Sequence, residues 1–194
     1  MASTPNLRER TRRAVRSEIA STAMRLFAEQ GFDATTVDQI AAAAGISRRS
    51  FFHYFGTKED LVLGDVAALG ESVRAELEAR PAEESAWTAI RAALMTLQSD
   101  GDPADDLAHA RLCREAPSLR ARKLEKYLYW QDLLAPDIQR RLGLPETEEP
   151  DHRARAFVAT ALTCLDVAVE AWTASGGTRD LVRLFDDAVA ALRA

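Results

Sequence analysis

A short stretch of the sequence, residues 36–58, concentrates side chains that suit contact with a polyanion. The outward face of one short predicted helix in it carries Arg48, Arg49, Phe52 and His53, with Ser50 and Tyr54 on its flanks. Arginine can donate two hydrogen bonds to a guanine edge, and an aromatic ring can contact a thymine methyl group. This face therefore predicts a helix that reads the major groove of DNA.

Two short helices separated by a glycine turn must position that face. Thr36 begins the first of them with a capping box, and Ser47 caps the second. Gly45 supplies a backbone that can reverse the chain between the two helices. Phe51 and Phe55 are four residues apart, so they share the inward face of the second helix. Together these features are the ingredients of a helix-turn-helix.

Charge is distributed unevenly along the chain, whose formal net charge is −5. Residues 1–58 contain nine basic and five acidic residues, which gives +4, so the remainder carries −9. A basic head on an acidic body is expected when only one end of a protein meets a polyanion, although fluctuation over a short segment produces the same asymmetry. The arginines among residues 8–16 either follow the minor groove and phosphates or belong to a solvated, disordered tail.

The remaining periodicity is helical, which predicts an all-α protein of about nine helices. The first three helices end at Gly31, Gly45 and Gly56, and a fourth runs unbroken from about Thr57 to Ala79. Five more cover approximately residues 87–97, 103–115, 118–141, 151–175 and 178–193. We predict a DNA-binding domain over residues 1–60 and a helical effector-binding and dimerisation domain over residues 61–194. Residues 1–10 form an arm that is either ordered on DNA or disordered.

The run from Arg16 to Val66 resembles the DNA-binding head of the TetR family of bacterial repressors. The resemblance is carried by Ala-x-x-Leu-Phe-x-x-x-Gly-Phe-x-x-Thr-Thr-Val from Ala23, Ile-Ala-x-x-Ala-Gly-Ile-Ser from Ile40, and Phe-x-x-Tyr-Phe-x-x-Lys-x-x-Leu from Phe51. It implies that phosphates are held by Thr36, His53, Tyr54 and Lys58, and that base edges are faced by Arg48, Arg49, Ser50 and Phe52, with Ser47 also in the DNA-contacting set. Many family members have tyrosine in place of Phe52, so this contact can only be apolar. The arginine pair predicts guanine-containing half-sites.

The eighth predicted helix indicates how two chains associate. Ala156–Leu165 contains no charge, so it should be buried on all sides, and a partner subunit is the natural cover. The ninth helix has one apolar stripe, formed by Leu181, Leu184, Phe185, Ala188 and Leu192. Two such helices from each chain would form a four-helix bundle, which is how the TetR family dimerises. A two-fold dimer implies a palindromic operator.

The family resemblance also implies a small-molecule effector that binds between the fourth, fifth, seventh and eighth predicted helices and lowers DNA occupancy. Each candidate lining residue is also compatible with plain core packing. The candidates are Trp87, Ile90, Leu94, Met95, Leu112, Leu128, Trp130, Leu133, Phe157, Ala161 and Cys164. Residues 111–122, followed by Tyr127 and Trp130, loosely resemble the C-terminal domain of mycofactocin-associated regulators, which suggests an acyl-CoA-like effector.

Other classes of protein are less consistent with the sequence. No nucleophile elbow, phosphate loop or zinc-protease signature is present, and His53, His109 and His152 lack ligand spacing, so we expect neither an enzyme, a metal nor a cofactor. We expect a cytoplasmic protein. The two cysteines are far apart in sequence, we see no leader, and the most apolar run is too short to cross a bilayer. Two alternatives stay open: a family member that acts through protein partners without an effector, and a helix-turn-helix repurposed for protein interaction.

Overall fold

The computed structural model describes residues 7–98, 102–145 and 148–192. All regular secondary structure in these ranges is helical, which confirms the all-α prediction. The helices are α1 (Leu7–Gln30), α2 (Val37–Ala43), α3 (Arg48–Tyr54), α4 (Asp60–Leu63), α5 (Val66–Ala79), α6 (Ala86–Met95), α7 (Pro103–Glu115), α8 (Pro117–Arg141), α9 (His152–Ala174) and α10 (Leu181–Ala191). Of the predicted N-terminal arm, residues 1–6 lie outside the described ranges.

Local capping chemistry fixes the start of α2 and α3. The Gln39 amide donates to the Thr36 hydroxyl at 3.2 Å, and the Thr36 amide donates back to the Gln39 side chain at 2.8 Å. The Ser50 amide donates to the Ser47 hydroxyl at 3.0 Å. These bonds satisfy donors that a helix start otherwise leaves unpaired, and they confirm both predicted caps.

Gly45 makes the turn between α2 and α3. Its φ of +66° lies in the left-handed region that favours glycine, and the Ile46 amide donates to the Ala41 carbonyl at 2.9 Å. After the turn, α3 buries Phe51 and leaves its other face outward. Phe55, one turn later, is also buried, as its spacing predicted.

The prediction of one continuous fourth helix from Thr57 to Ala79 is wrong, because the structure has two helices there, α4 and α5. The Thr57 and Asp60 side chains accept from each other's backbone amides, at 3.2 and 2.9 Å, in the turn that leads into α4. Gly64 then adopts φ +72°, which ends α4, and the Asp65 carboxylate caps α5 as a fresh start. The chain divides into two compact units at this point: an N-terminal unit through Gly64 and a C-terminal unit from Asp65.

The C-terminal unit is built around α8, α9 and α10, with α5 and α6 packed alongside. Its core is aliphatic and alanine-rich, with one large indole, Trp130 of α8, almost fully buried at the centre. In contrast, α7 packs against α8 and α9 without burying any of its own residues fully. The helix α7 is therefore held by partial contacts rather than by a tightly packed seam.

Trp130 and Gly70 form the closest approach between α8 and α5. The indole Nε1 donates to the Val66 carbonyl at 2.9 Å. A Cβ added to Gly70 would lie 2.6 Å from that Nε1 atom and 2.9 Å from a methyl of Leu133. Glycine at this position leaves room for the edge of the indole beside the helix backbone.

The single chain leaves part of Ala156–Leu165 exposed, and its burial by a partner subunit stays a prediction. Ala161 and Leu162 are in the core, but Ala156 and Thr163 are exposed in the single chain, followed by Val167 with 51% of its surface exposed. By length and composition α9 as a whole could also cross a membrane. In this structure it is instead the central helix of the C-terminal unit, in contact with α8 and α10.

Candidate nucleic-acid interface and ligand site

The outward face of α3 presents the side chains that the sequence placed there. Arg48, Arg49, Phe52 and His53 are exposed, and Phe52 retains 44% of its surface despite its aromatic ring. Ser50 and Tyr54 are half-buried at the flanks of the face. The exposed caps Thr36 and Ser47 lie at the N-termini of α2 and α3, where backbone N–H groups and the helix dipoles favour phosphate.

The two arginines of this face differ in what holds them. The Arg48 guanidinium pairs with the Asp38 carboxylate of α2 at 2.7 Å and lies 5.6 Å above the Phe52 ring. Arg49 forms no ion pair with any described residue. Because an exposed ion pair contributes little, Arg48 can leave Asp38 for a base edge at small cost. Arg49 has no ion pair to break before it contacts a base.

Lys58 is engaged within the N-terminal unit. Its ammonium donates to the carbonyls of Phe32 and Thr35, at 2.8 and 2.9 Å, and lies 4.2 Å from the centre of the Phe32 ring. These contacts fasten the segment between α1 and α2 to the start of α4. The motif spacing predicted a phosphate contact for Lys58 and gave no sign of this internal role.

Arg16 is a second internal contact that sequence reasoning missed. Its guanidinium donates to the Tyr54 carbonyl at the end of α3 at 2.6 Å and stacks 4.6 Å over the Phe55 ring. It therefore ties α1 to the C-terminus of α3, where a cation also interacts favourably with the helix dipole. The sequence grouped Arg16 with Arg8, Arg10, Arg12 and Arg13, which are all exposed on the first turns of α1.

Most of the predicted effector residues are brought together in the C-terminal unit. Ile90, Leu94, Trp130, Ala161 and Cys164 belong to its buried core, and Trp87, Met95 and Phe157 pack against it. The rings of Trp87 and Phe157 lie 4.2 Å apart. Leu112 and Leu133 are half-buried. Leu128 is the exception, because 61% of its surface is exposed on α8, so it does not line this core.

An open groove runs between α6 and α10 beside this core. It has a volume of about 610 Å³ and is lined by Trp87, Thr88, Arg91, Phe185, Asp186, Val189 and Ala190. Arg91 and Asp186 pair across it at 2.6 Å. The groove shares only Trp87 with the predicted effector residues.

The cysteines and histidines do not assemble into a metal site in the part of the chain that the structure describes. No group of three or more His, Cys, Asp or Glu side chains there is placed to hold a metal ion. Cys164 is a buried free thiol, whereas Cys113 is a half-buried free thiol.

Both units match known families of bacterial proteins. Residues 19–64 match the family described as bacterial regulatory proteins, tetR family. Residues 66–194 match the family described as the MftR C-terminal domain. The two matches meet where the structure divides, at Gly64 and Asp65.

Relatives and solved structures agree with these matches. The chain is 34% identical to the HTH-type transcriptional regulator TcmR of Streptomyces glaucescens, over 97% of this chain and 87% of TcmR. It is 29% identical to the HTH-type transcriptional repressor AcnR of Corynebacterium diphtheriae, over 88% of this chain and 87% of AcnR.

Two proteins named FadR have the same fold as this chain at low sequence identity. The fatty acid degradation regulator FadR of Bacillus halodurans aligns with a TM-score of 0.57 at 19% identity, over 97% of this chain and 94% of that one. The FadR repressor of Thermus thermophilus, solved with lauroyl-CoA, aligns with a TM-score of 0.51 at 24% identity, over 90% of this chain and 91% of that one. The chain is thus a transcriptional regulator of the TetR family, with a helix-turn-helix head and an MftR-type C-terminal domain.

Proposed function

We propose that this regulator is a homodimeric repressor that binds a palindromic operator through α3 and is released by a small apolar effector. The observation that carries the proposal is the exposed face of α3, on which Arg48, Arg49 and Phe52 are open to solvent while Phe51 is buried. The ion pair that this face forms within the N-terminal unit, Arg48 with Asp38, is exposed and contributes little to stability. It matches the donors and apolar contacts that read a major groove.

Base readout is assigned to Arg48, Arg49, Ser50 and Phe52 of α3. The two arginines would contact guanine, and the Phe52 ring would meet a thymine methyl group. Phosphates are assigned to Thr36, Ser47, His53, Tyr54 and Lys58, which surround that face. For Lys58 this requires the third N–H of its ammonium to donate to a phosphate while the other two donate to the Phe32 and Thr35 carbonyls.

Dimerisation is assigned to α9 and α10. Ala156, Thr163 and Val167 form an uncharged, exposed stripe on α9, and Leu192 at the end of α10 is 60% exposed. Apolar surface of this kind on helices that also form the core is typical of four-helix dimer interfaces. A two-fold axis between two such chains makes the operator a palindrome.

The effector is assigned to the C-terminal unit. The FadR structures of Thermus thermophilus and Bacillus subtilis hold lauroyl-CoA and stearoyl-CoA, and they share the fold of this chain. An acyl chain would need an apolar core such as the one around Ile90, Leu94 and Phe157. To release the DNA, the effector must bind more tightly to the conformation of the regulator that does not bind the operator. A regulator of this kind works in the cytoplasm, where the bacterial chromosome lies.

Selection of bound sequences from random duplex DNA tests the reading helix. We expect the wild-type protein to enrich a palindrome with guanines in each half-site, and Arg49→Ala to degrade the consensus at those positions. The matched control is Arg179→Ala, an exposed arginine before α10, which should leave the consensus intact. Failure to enrich any sequence, even at low salt where phosphate contacts are strongest, would overturn operator binding.

The selected operator then tests the ligand response. We expect lauroyl-CoA to release the labelled operator in a fluorescence anisotropy titration, whereas coenzyme A alone leaves it bound. Operator binding that is insensitive to acyl-CoAs and to a panel of apolar small molecules would instead support the alternative of a regulator that acts through protein partners.

A further inference from the structure

A cluster of ionisable side chains lies where α7, α8 and α9 pack together, away from the α6–α10 groove. Its centre is Lys126, on the turn of α8 before Trp130. The charged and titratable groups that face this cluster are Asp106, His109 and Cys113 of α7, Lys123 and Tyr127 of α8, and Asp166 and Glu170 of α9.

Lys126 forms no ion pair with a carboxylate of any described residue, although a half-buried lysine usually has such a partner. The Asp166 carboxylate in the cluster is paired with Lys123 at 2.5 Å. Among the described residues, the direct partner of the Lys126 ammonium is the ring of Trp130, 4.2 Å from the ring centre. Burial lowers the pKa of Lys126 to about 8, which is the expected effect of removing an ammonium from water without an acid beside it.

The neighbouring groups do not neutralise that charge. Burial lowers the pKa of His109 and raises the pKa of Cys113, so both are uncharged at neutral pH. Burial also raises the pKa of Tyr127. Lys123 and Asp166 cancel each other. The ammonium of Lys126 thus remains as a positive charge against the apolar core to which Trp130 belongs.

Of the three helices around this charge, α7 is the one that a ligand would displace most easily. The helix α7 covers the cluster but buries none of its own residues fully, so moving it costs less than moving α8 or α9. Beneath the ammonium, the Trp130 ring opens onto the aliphatic core. A molecule that entered here would present its polar end to Lys126 and its apolar part to Trp130.

We propose that Lys126 receives the anionic group, a carboxylate, phosphate or sulfonate, of an otherwise apolar ligand bound between α7, α8 and α9. This inference rests on the proposed ligand response and narrows its class from apolar molecules in general to amphiphilic acids. A negative charge placed beside an unpaired ammonium in a poorly hydrated site forms a strong, charge-assisted hydrogen bond.

The test uses two fluorescent probes with the same ring system. Anilinonaphthalene-8-sulfonate carries a sulfonate, and N-phenyl-1-naphthylamine is its neutral counterpart. Both are titrated into the full-length wild-type protein, Lys126→Met, Lys126→Arg and Arg120→Met, the last removing an exposed cation from the same helix. Circular dichroism establishes that each variant is folded.

We expect the wild type to bind the sulfonate at least about tenfold more tightly than the neutral probe. Lys126→Met should lose this preference while it still binds the neutral probe, which separates loss of charge from loss of fold. Lys126→Arg and Arg120→Met should keep the preference for the sulfonate probe. Equal affinity of the wild type for the two probes, or an unchanged preference in Lys126→Met, would overturn the proposal.

A pH series adds an independent readout. Because the protonated ammonium binds the anion, the affinity for the sulfonate should fall by about tenfold as pH rises from 7 to 9.5, through the pKa of Lys126 near 8. Lys126→Arg should show no such fall, since arginine stays charged. If the preference depends on Lys126 but no acidic ligand releases the operator, the site stands and the proposed ligand response fails.

Discussion

At the scale of single residues, the basic side chains of the N-terminal unit differ in what their charged atoms touch. Arg49 has no acidic partner among the described residues, and Arg48 has only an exposed one. Arg16 and Lys58 instead donate to backbone carbonyls within the unit. Basic side chains are thus proposed for DNA recognition at Arg48 and Arg49, whereas Arg16 and Lys58 hold parts of the unit together.

Replacement of Lys58 tests its role in cohesion. We expect Lys58→Met to lower the free energy of unfolding of the N-terminal unit by about 1–3 kcal/mol, because two hydrogen bonds from a charged donor to backbone carbonyls are lost. Urea unfolding followed by far-UV circular dichroism measures the loss. All three tryptophans lie in the C-terminal unit, so their fluorescence should report an unchanged transition there. Arg49→Ala, an exposed change, should stay within about 0.5 kcal/mol of the wild type. Equal stability of Lys58→Met and wild type would refute the role.

At the scale of helices, the contact of α5 with α8 depends on the absence of one side chain. Gly70 is buried in the middle of α5, where glycine normally costs about 0.5–1 kcal/mol relative to alanine. It is retained next to the Trp130 indole, which hydrogen-bonds to Val66 one turn earlier. Local helix propensity and tertiary packing conflict at this position, and packing decides the residue.

The sign of a Gly70→Ala effect distinguishes the two influences. Propensity alone predicts stabilisation, whereas the structure predicts a loss of about 1–3 kcal/mol, because the new methyl group would overlap the indole and Leu133. Thermal unfolding followed by tryptophan fluorescence is the appropriate measurement. Ala75→Ser, at an exposed position of the same helix, provides the matched control and should change little. A stabilised Gly70→Ala protein would show that α5 and α8 are not packed this closely.

At the scale of the whole molecule, two helices of the C-terminal unit, α8 and α9, each expose a group of apolar side chains. One group is the uncharged stripe of α9, which includes Thr163 and Val167, and the other is formed by Leu124 and Leu128 of α8. Exposed apolar side chains that lie together can favour association. The proposed dimer uses α9, because that helix also contacts α10 and carries no charge along its stripe.

A pair of glutamate substitutions decides between these surfaces. We expect Val167→Glu to convert the protein from twice the 21.3 kDa of one chain to the monomer mass, since two like charges would meet at a two-fold interface. The affinity of this variant for the operator should also fall, because the dimer is lost. Leu128→Glu should remain dimeric and bind DNA normally. Light scattering after size-exclusion chromatography measures the masses, and the reverse pattern would place the interface on α8.

The sequence by itself determined the features that depend on neighbours three or four residues apart. The caps at Thr36 and Ser47, the turn at Gly45 and the inward pairing of Phe51 with Phe55 all follow from local spacing. The family motif over the same residues predicted the class of the protein. The end of α4 at Gly64 also occurs at a residue type that favours a helix end. The apolar pattern nevertheless continues through α4 and α5, so it predicted one helix there.

Only the tertiary structure decided which distant groups meet. Lys58 is joined to Phe32, Arg16 to Tyr54, and Trp130 to Val66 across stretches of sequence that no periodic pattern connects. The isolated charge of Lys126 exists because Lys123 takes Asp166, a choice between two lysines three residues apart on α8. Side-chain chemistry can be read from the sequence, but pairing depends on distance and burial, and these are set when the helices pack.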